Sequence, residues 1–279
     1  MMADLWDAVQ DLSNWNTGRA VVLRGANGIF SSGADLDFVM HPAVFTQEGG
    51  RQMSVFMSTT LAALRALPLT SVALVERVAL GGAAEIAGAA DFRVLTEDAL
   101  ISYLQATIHI APGWGGMARL VSLVGPTRAL ELLQSGRRFT AREGLQIGYV
   151  QHIVPKPTGP TPAASAPASN TATTSIQTSK TSSKSPKRDA PDPELAACLA
   201  WLDSRVGGHR RPEVVRAIKS TVYAAQETAL AIDSAQMQLD EIALFKPTWS
   251  TPAHRSAIES TLSGLHAKPA PNAMPIKPK

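Results

Sequence analysis

The chain has 279 residues, enough for one hydrophobic core with an appendage or for two small domains. Its apolar fraction of 45% and charged fraction of 18% are ordinary for a soluble globular protein. A net charge of only +3, with no basic stripe interleaved with aromatic residues, argues against nucleic-acid binding.

No apolar run approaches the ~18 residues of a membrane span, and the acidic start lacks the features of a signal or transit peptide. We therefore expect a cytosolic protein with no membrane partner. The single cysteine, Cys198, cannot form an internal disulfide, which favours a reducing compartment. Its surroundings favour a small residue on a helix face over an activated thiol.

Strands and helices alternate through the predicted α/β core, residues 1–154. Leu5, Val9 and Leu12 recur at helical spacing, and a strand follows over Ala20–Arg24. The next predicted elements are a helix that Pro68 ends, a strand over Thr70–Val78, a helix over Ala83–Ala90, strands over Asp91–Leu95 and Ala99–Leu104, helices over Met117–Val124, Thr127–Ser135 and Thr140–Gly148, and a strand over Tyr149–Val154. Short strands that feed buried helices favour an α/β fold with parallel pairing.

The composition changes sharply at residues 155–191, which are rich in Pro, Ser, Thr, Ala and Lys. Such a segment buries too little apolar surface to offset its ordering entropy, so it is predicted to be a disordered insertion. Its lysines favour a solvated linker over a docking motif. Beyond it, residues 192–266 form a predicted helical region, with helices over Glu194–Val206, Pro212–Ala225, Ala229–Phe245 and Pro252–Leu265, and residues 267–279 form a loose tail.

Two glycine turns each stand between a predicted strand and a predicted helix. The first spans Phe30–Leu36 and contains Gly33; the second spans Ala79–Glu85 and contains Gly81 and Gly82. Glycine permits a sharp turn and a close approach, and a helix that begins there has unpaired N–H groups at its positive end. Two such turns converging on one oxygen would form an oxyanion hole.

Glu85 lies in the first turn of the second of these helices, among small and apolar residues. One interpretation is a carboxylate stabilised by the helix dipole. The other is a partly buried carboxyl whose raised pKa suits it to giving or taking a proton. The residues alone leave both interpretations open.

A third glycine turn, Ala111–Gly116, follows in the chain. The three turns, in this order, resemble those of the enoyl-CoA hydratase/isomerase (crotonase) superfamily. Within it the chain is most similar to the decarboxylases of ethylmalonyl-CoA, through the stretches Leu67–Val75, Pro112–Gly116, Arg119–Val121 and Pro212–Lys219. The resemblance implies a spiral of ββα units, followed by helices that mediate trimer contacts and help to cover the CoA site.

The resemblance also implies roles for individual residues. It assigns the oxyanion hole to the backbone N–H groups of Ala34 and Gly82, and a catalytic role to Glu85. Gln105 stands where hydratases have a second glutamate, either as a neutral donor near the acyl group or as a bystander on a strand end. Tyr103 and His109 are nearby polar candidates, for each of which a structural role is favoured. The remaining substrate-binding residues that we predict are Gly33, Asp35, Gly81, Pro112, Gly113 and Trp114.

These roles imply a metabolite-repair lyase that decarboxylates 2-carboxyacyl-CoA thioesters such as ethylmalonyl-CoA or methylmalonyl-CoA. Coenzyme A is then part of the substrate, and neither a further cofactor nor a metal is expected. The expected assembly is a homotrimer or a dimer of trimers. Two alternatives stay open: another isomerase or hydratase of the superfamily, and a catalytically silent subunit. Gln105 argues against a hydratase. The family's first strand pair is missing here, which favours the silent subunit and predicts an exposed edge on the Ala20–Arg24 strand, whereas the intact Ala34, Gly82 and Glu85 favour an enzyme.

Overall fold

The computed structural model describes residues 1–155, 192–207, 210–230 and 234–266. The predicted insertion and tail therefore lie almost wholly outside the described residues. The helices are α1 (Met2–Ser13), α2 (Leu36–Met40), α3 (Gln47–Ala66), α4 (Gly82–Ala89), α5 (Gly116–Val124), α6 (Pro126–Ser135), α7 (Ala141–Gln146), α8 (Pro193–Val206), α9 (Pro212–Leu230), α10 (Ser234–Thr248) and α11 (Pro252–His266). The strands are β1 (Ala20–Arg24), β2 (Thr70–Val75), β3 (Val78–Leu80), β4 (Phe92–Thr96), β5 (Leu100–Ser102), β6 (Phe139–Thr140) and β7 (His152–Val154).

Four parallel strands form the main sheet, in the order β1-β2-β4-β7, which confirms the predicted α/β fold with parallel pairing. All six residues of β2 are buried, as expected for a central strand covered on both faces. Among the described residues β1 pairs only with β2, and its five residues are half-buried. β1 is therefore an edge strand, as predicted.

The strand predicted over Thr70–Val78 is two strands, because the chain turns at Glu76 and Arg77. Arg77 adopts a left-handed conformation with φ of 59°, and the Val78 N–H donates to the Glu76 carbonyl at 2.7 Å. β3 thereby leaves the main sheet and joins a smaller one in the order β3-β5-β6, where β5 and β6 are antiparallel. This turn carries the second glycine turn away from the main sheet.

Helix α4 occupies the centre of the core, with every residue from Ala83 to Ala89 buried. Its small side chains allow close packing against α3 and α5. A Cβ at Gly88 would lie 2.8 Å from the Tyr103 hydroxyl, which explains the glycine there. The alanine-rich sequence thus reflects a buried helix, as expected.

The C-terminal helices pack onto this core. α8 covers one face of the main sheet, where Cys198 and Leu202 contact Val72, Leu74, Val94 and Val154. α9 is anchored by Lys219, whose Nζ lies 2.8 Å from an Asp91 carboxylate oxygen. α9 is longer than predicted, and α10 begins five residues later than predicted. No described helix is both long and apolar enough to cross a membrane.

Candidate active site

The first two glycine turns lie side by side. The Ser31 N–H donates to the Val78 carbonyl at 3.1 Å, and the Leu80 N–H donates to the Ser31 carbonyl at 3.2 Å. Gly33 has φ of 106°, and a Cβ there would lie 2.9 Å from the Leu80 carbonyl oxygen. The first turn is therefore held against β3, directly before Gly81, by backbone contacts that no side chain at residue 33 would allow.

Each turn contains a backbone N–H group that has no acceptor among the described residues. Within the described part of the chain, neither the Ala34 N–H nor the Gly82 N–H donates a hydrogen bond. Gly81 has φ of 58° and donates its own N–H to the Ser102 carbonyl at 2.8 Å, which fixes the start of α4. These are the two N–H groups to which the resemblance assigns the oxyanion hole.

The first turn differs from its predicted form. A 3₁₀ turn, Ala26–Gly28, separates it from β1, and the helix it opens, α2, has only five residues. The Asp35 carboxylate is exposed and accepts from the N–H groups of Asp37 and Phe38, as a helix N-cap. The observed partners of Asp35 therefore belong to its own helix.

Gly82 lies against the indole of Trp114. A Cβ at Gly82 would lie 2.3 Å from the nearest ring carbon. Only glycine leaves room for this contact between the second and third turns. Trp114 itself is buried and packs with the cluster between α3 and α4.

The Glu85 side chain is almost completely buried, at 2% exposure, rather than partly buried as predicted. Its Oε2 accepts from the N–H groups of Trp114 at 2.9 Å and Gly116 at 3.0 Å, while Oε1 accepts from Gln105 at 2.8 Å. Burial, reinforced by the charge of Glu241, raises the pKa of Glu85 to about 7, against the opposing effects of Arg119 and the two N–H donors. Glu85 can therefore hold or release a proton near neutral pH.

Gln105 joins Glu85 across twenty residues of sequence. It lies in a 3₁₀ turn, Leu104–Ile108, rather than on a strand end. Its Nε2 donates to Glu85, whereas its buried Oε1 has no partner among the described residues. A glutamate here would place a second carboxylate within hydrogen-bonding distance of the first, where like charges oppose ionisation.

The third turn is buried, and two serines of α3 hold it in place. Pro112 and Gly113 are both buried. The hydroxyls of Ser54 and Ser58 both donate to the Gly113 carbonyl, the second at 3.0 Å. The same peptide unit directs the Trp114 N–H at Glu85, so α3 helps to orient a donor to the carboxyl group.

Sequence reasoning missed four buried polar residues around these turns: Ser54, Ser58, Arg119 and Glu241. Each contacts the segment from Gly113 to Ala118. The only local signal is the Gly115-Gly116 pair. A Cβ at Gly115 would lie 2.7 Å from the Arg119 guanidinium, and one at Gly116 would lie 2.5 Å from the Glu85 carboxyl.

Other polar groups have different hydrogen-bond or ion-pair partners. The Tyr103 hydroxyl donates to the Ala84 carbonyl at 3.1 Å inside the core, which is a structural role, as favoured. His109 is exposed and ends the 3₁₀ turn in a left-handed conformation. Carboxylate oxygens of Glu76, Asp192 and Glu194 lie within 4.8 Å of one another and could in principle hold a metal, but Arg24 already pairs with the first two.

A surface groove of about 350 Å³ lies between α1 and α3. It contains none of the predicted site residues. Its lining consists of Trp6, Arg51, Gln52, Val55, Phe56 and Thr59.

Comparisons with known proteins identify the family of this chain. The family model for enoyl-CoA hydratase/isomerase matches residues 1–198. The chain is 35% identical over 260 residues to the ethylmalonyl-CoA decarboxylase of Danio rerio, covering 93% of this chain and 73% of that protein. It is 33% identical over 268 residues to the decarboxylase of the same name from Mus musculus, covering 96% and 70%.

Solved structures show the same fold. An enoyl-CoA hydratase/isomerase from Xanthobacter autotrophicus superposes with a TM-score of 0.70 at 21% identity, covering 97% of this chain and 89% of that one. The enoyl-CoA hydratase from Bacillus halodurans gives 0.69 at 18% identity, covering 93% and 88%. The chain therefore belongs to the enoyl-CoA hydratase/isomerase family.

Proposed function

We propose that this protein is a carboxy-lyase that decarboxylates 2-carboxyacyl-CoA thioesters such as ethylmalonyl-CoA and methylmalonyl-CoA. The bond between the α-carbon and the carboxylate breaks, CO₂ leaves, and the electron pair remains on the thioester as an enolate. A proton then adds to the α-carbon. The proposal needs no cofactor beyond the coenzyme A that the substrate carries.

The N–H groups of Ala34 and Gly82 would receive the thioester oxygen. They belong to turns that hydrogen bonds hold side by side, and within the described residues neither has an acceptor. Charge develops on this oxygen as CO₂ leaves, so fixed donors stabilise the enolate more than the substrate. Removing one such donor typically costs a factor of about 10²–10³ in kcat.

Glu85 would hold the proton that finally reaches the α-carbon. Its pKa of about 7 leaves a substantial protonated fraction at neutral pH. Glu85 Oε1 already accepts a hydrogen bond from the Gln105 amide. Proton transfer from the carboxyl group to the substrate would therefore need either a movement of this amide or an intervening water. We assign no separate proton donor beyond this carboxyl.

The observation that carries the proposal is the neutral amide of Gln105, 2.8 Å from Glu85. Hydration of an enoyl thioester uses two carboxylates to position and activate water, and this pair supplies one. A second carboxylate would also repel the substrate carboxylate. The relatives named as decarboxylases support the same choice.

The test is to incubate the purified chain with ethylmalonyl-CoA and follow butyryl-CoA by chromatography, with an enoyl-CoA as the hydration control. We expect butyryl-CoA and no hydrated product. Gln105→Glu should reduce decarboxylation, whereas the size-matched Gln105→Met, which adds no charge, should reduce it less. Absence of butyryl-CoA from the folded parent protein would contradict the proposal.

A second candidate is an enoyl-CoA isomerase. The observation that favours it is that one carboxyl with a pKa of about 7 can both remove and return a proton. An enoyl-CoA whose double bond moves without CO₂ release would support this candidate. A folded chain that turns over neither substrate would instead support the silent-subunit alternative. Trimeric assembly and cytosolic location stay predictions.

A further inference from the structure

Helix α10 contacts the third glycine turn and the start of α5 at three points along one face. The Ala118 N–H donates to the Glu241 carboxylate at 2.7 Å, and the Ala111 N–H donates to the Thr248 hydroxyl at 3.1 Å. Between them, the Phe245 ring lies 2.6 Å from where a Cβ at Gly113 would be. Positions 241, 245 and 248 have helical spacing, so one face of α10 makes all three contacts.

The first of these contacts places a second buried carboxylate near Glu85. Glu241 is 4% exposed, and its Oε2 has no partner among the described residues. Arg119, buried beside both glutamates, donates through Nη2 to the Trp114 carbonyl, while its Nε has no described partner. Two carboxylates and one guanidinium therefore share the start of α5, out of contact with solvent.

We propose that Glu241 is a positioning residue for the Glu85 site, which acts by fixing the start of α5 and by placing a second buried carboxyl group beside Arg119, the guanidinium that faces Glu85. The effect of Glu241 on the decarboxylation rate rests on the proposed function, whereas its effect on the titration of Glu85 does not. It makes the C-terminal helical region part of the proton chemistry, through a residue that touches no substrate.

The charges that face Glu85 come from several elements. Arg119 on α5 favours its ionised form, whereas Glu241 on α10 opposes it. The Tyr103 hydroxyl also lies close, and Arg65 on α3 acts on Arg119. Burial also raises the pKa of Glu241, against the opposing effects of the Ala118 N–H and Arg119. Two carboxyl groups that share one buried guanidinium do not both ionise readily, so they titrate as a coupled pair.

Glu241→Gln tests the proposal, because an amide oxygen can still accept from the Ala118 N–H while the charge is removed. We expect the carboxyl titration of Glu85, followed by ¹³C NMR of glutamate-labelled protein, to move to lower pH by roughly one unit. Asp240→Asn is the matched control, since Asp240 is the exposed neighbour on the same helix and should leave the Glu85 titration unchanged.

In decarboxylation assays of Glu241→Gln, the high-pH limb of the rate profile should move to lower pH by the same amount. A merely structural contact would instead alter the rate without moving this limb. An unchanged Glu85 titration in folded Glu241→Gln overturns the proposal. If Glu241→Gln does not fold, the same NMR titration of the parent protein tests the proposal. Coupling between the two carboxyl groups predicts that the Glu241 signal changes as Glu85 titrates. A Glu241 signal that is independent of the Glu85 titration overturns the proposal. Failure of decarboxylation alone, with the coupling intact, refutes only the proposed function.

Discussion

Glu85→Gln should change how the stability of the fold depends on pH. The folded protein holds the Glu85 proton up to about pH 7, whereas an unfolded chain releases it near the ordinary pKa of 4.5. Between these values the unfolded state binds fewer protons, so the parent protein loses stability as the pH rises. The difference corresponds to about 3 kcal/mol across the window.

The variant has no proton to lose, and its contacts can be kept. The new amide oxygen can accept from the N–H groups of Trp114 and Gly116. Its NH₂ replaces the oxygen that accepts from Gln105 Nε2, so the Gln105 amide has to rotate and present its own Oε1 as the acceptor. Relative to the parent, Glu85→Gln should therefore gain stability between pH 5 and pH 8.

Urea unfolding of both proteins at several pH values measures this gap. Glu259→Gln, at an exposed position on α11, serves as the control and should run parallel to the parent. A gap between Glu85→Gln and the parent that stays constant from pH 5 to pH 8 would refute the reasoning, because it would mean that Glu85 titrates alike in the folded and unfolded chains.

Two further predictions concern buried contacts: one holds the third glycine turn, and the other anchors α9 to the core. Replacing both Ser54 and Ser58 by alanine leaves the Gly113 carbonyl without its two hydroxyl donors and should lower the free energy of unfolding by about 1–3 kcal/mol in urea, whereas Ser58→Ala alone should cost less. Lys219→Met leaves the Asp91 carboxylate without its ammonium partner and should cost on the order of 3 kcal/mol by the same measurement, since a buried pair is broken on one side. A loss within experimental error in either case would contradict the role given to that contact.

Much of the fold was predictable because it follows local rules. β1 has the predicted bounds, and α5 and α6 begin within one residue of prediction. The break at Arg77 was not predictable, since apolar residues run through β2 and β3 and a positive φ at arginine leaves no mark in the sequence. The alanine-rich sequence of α4 correctly predicted that this helix is buried.

The site divides in the same way. The glycine turns, and the family resemblance that rests on their order, predicted that Gln105 lies near Glu85, although Glu85 is on α4 and Gln105 is in a separate 3₁₀ turn. The residues that sequence reasoning missed act over long separations: Ser54 reaches Gly113 from α3, and Glu241 reaches Ala118 from α10. Nothing near such residues in the chain distinguishes them from ordinary helix-face positions.

Substitutions at Gly82 test whether backbone donors hold the enolate. Any Cβ there meets Trp114, so Gly82→Ala controls for the steric cost while keeping the N–H. Gly82→Pro adds the loss of the donor at the first position of α4, where a helix tolerates proline.

The measurement is kcat for the release of butyryl-CoA from ethylmalonyl-CoA by these two variants. We expect kcat of Gly82→Pro to be lower than kcat of Gly82→Ala by a factor of about 10²–10³. Equal rates for the two variants would contradict this expectation.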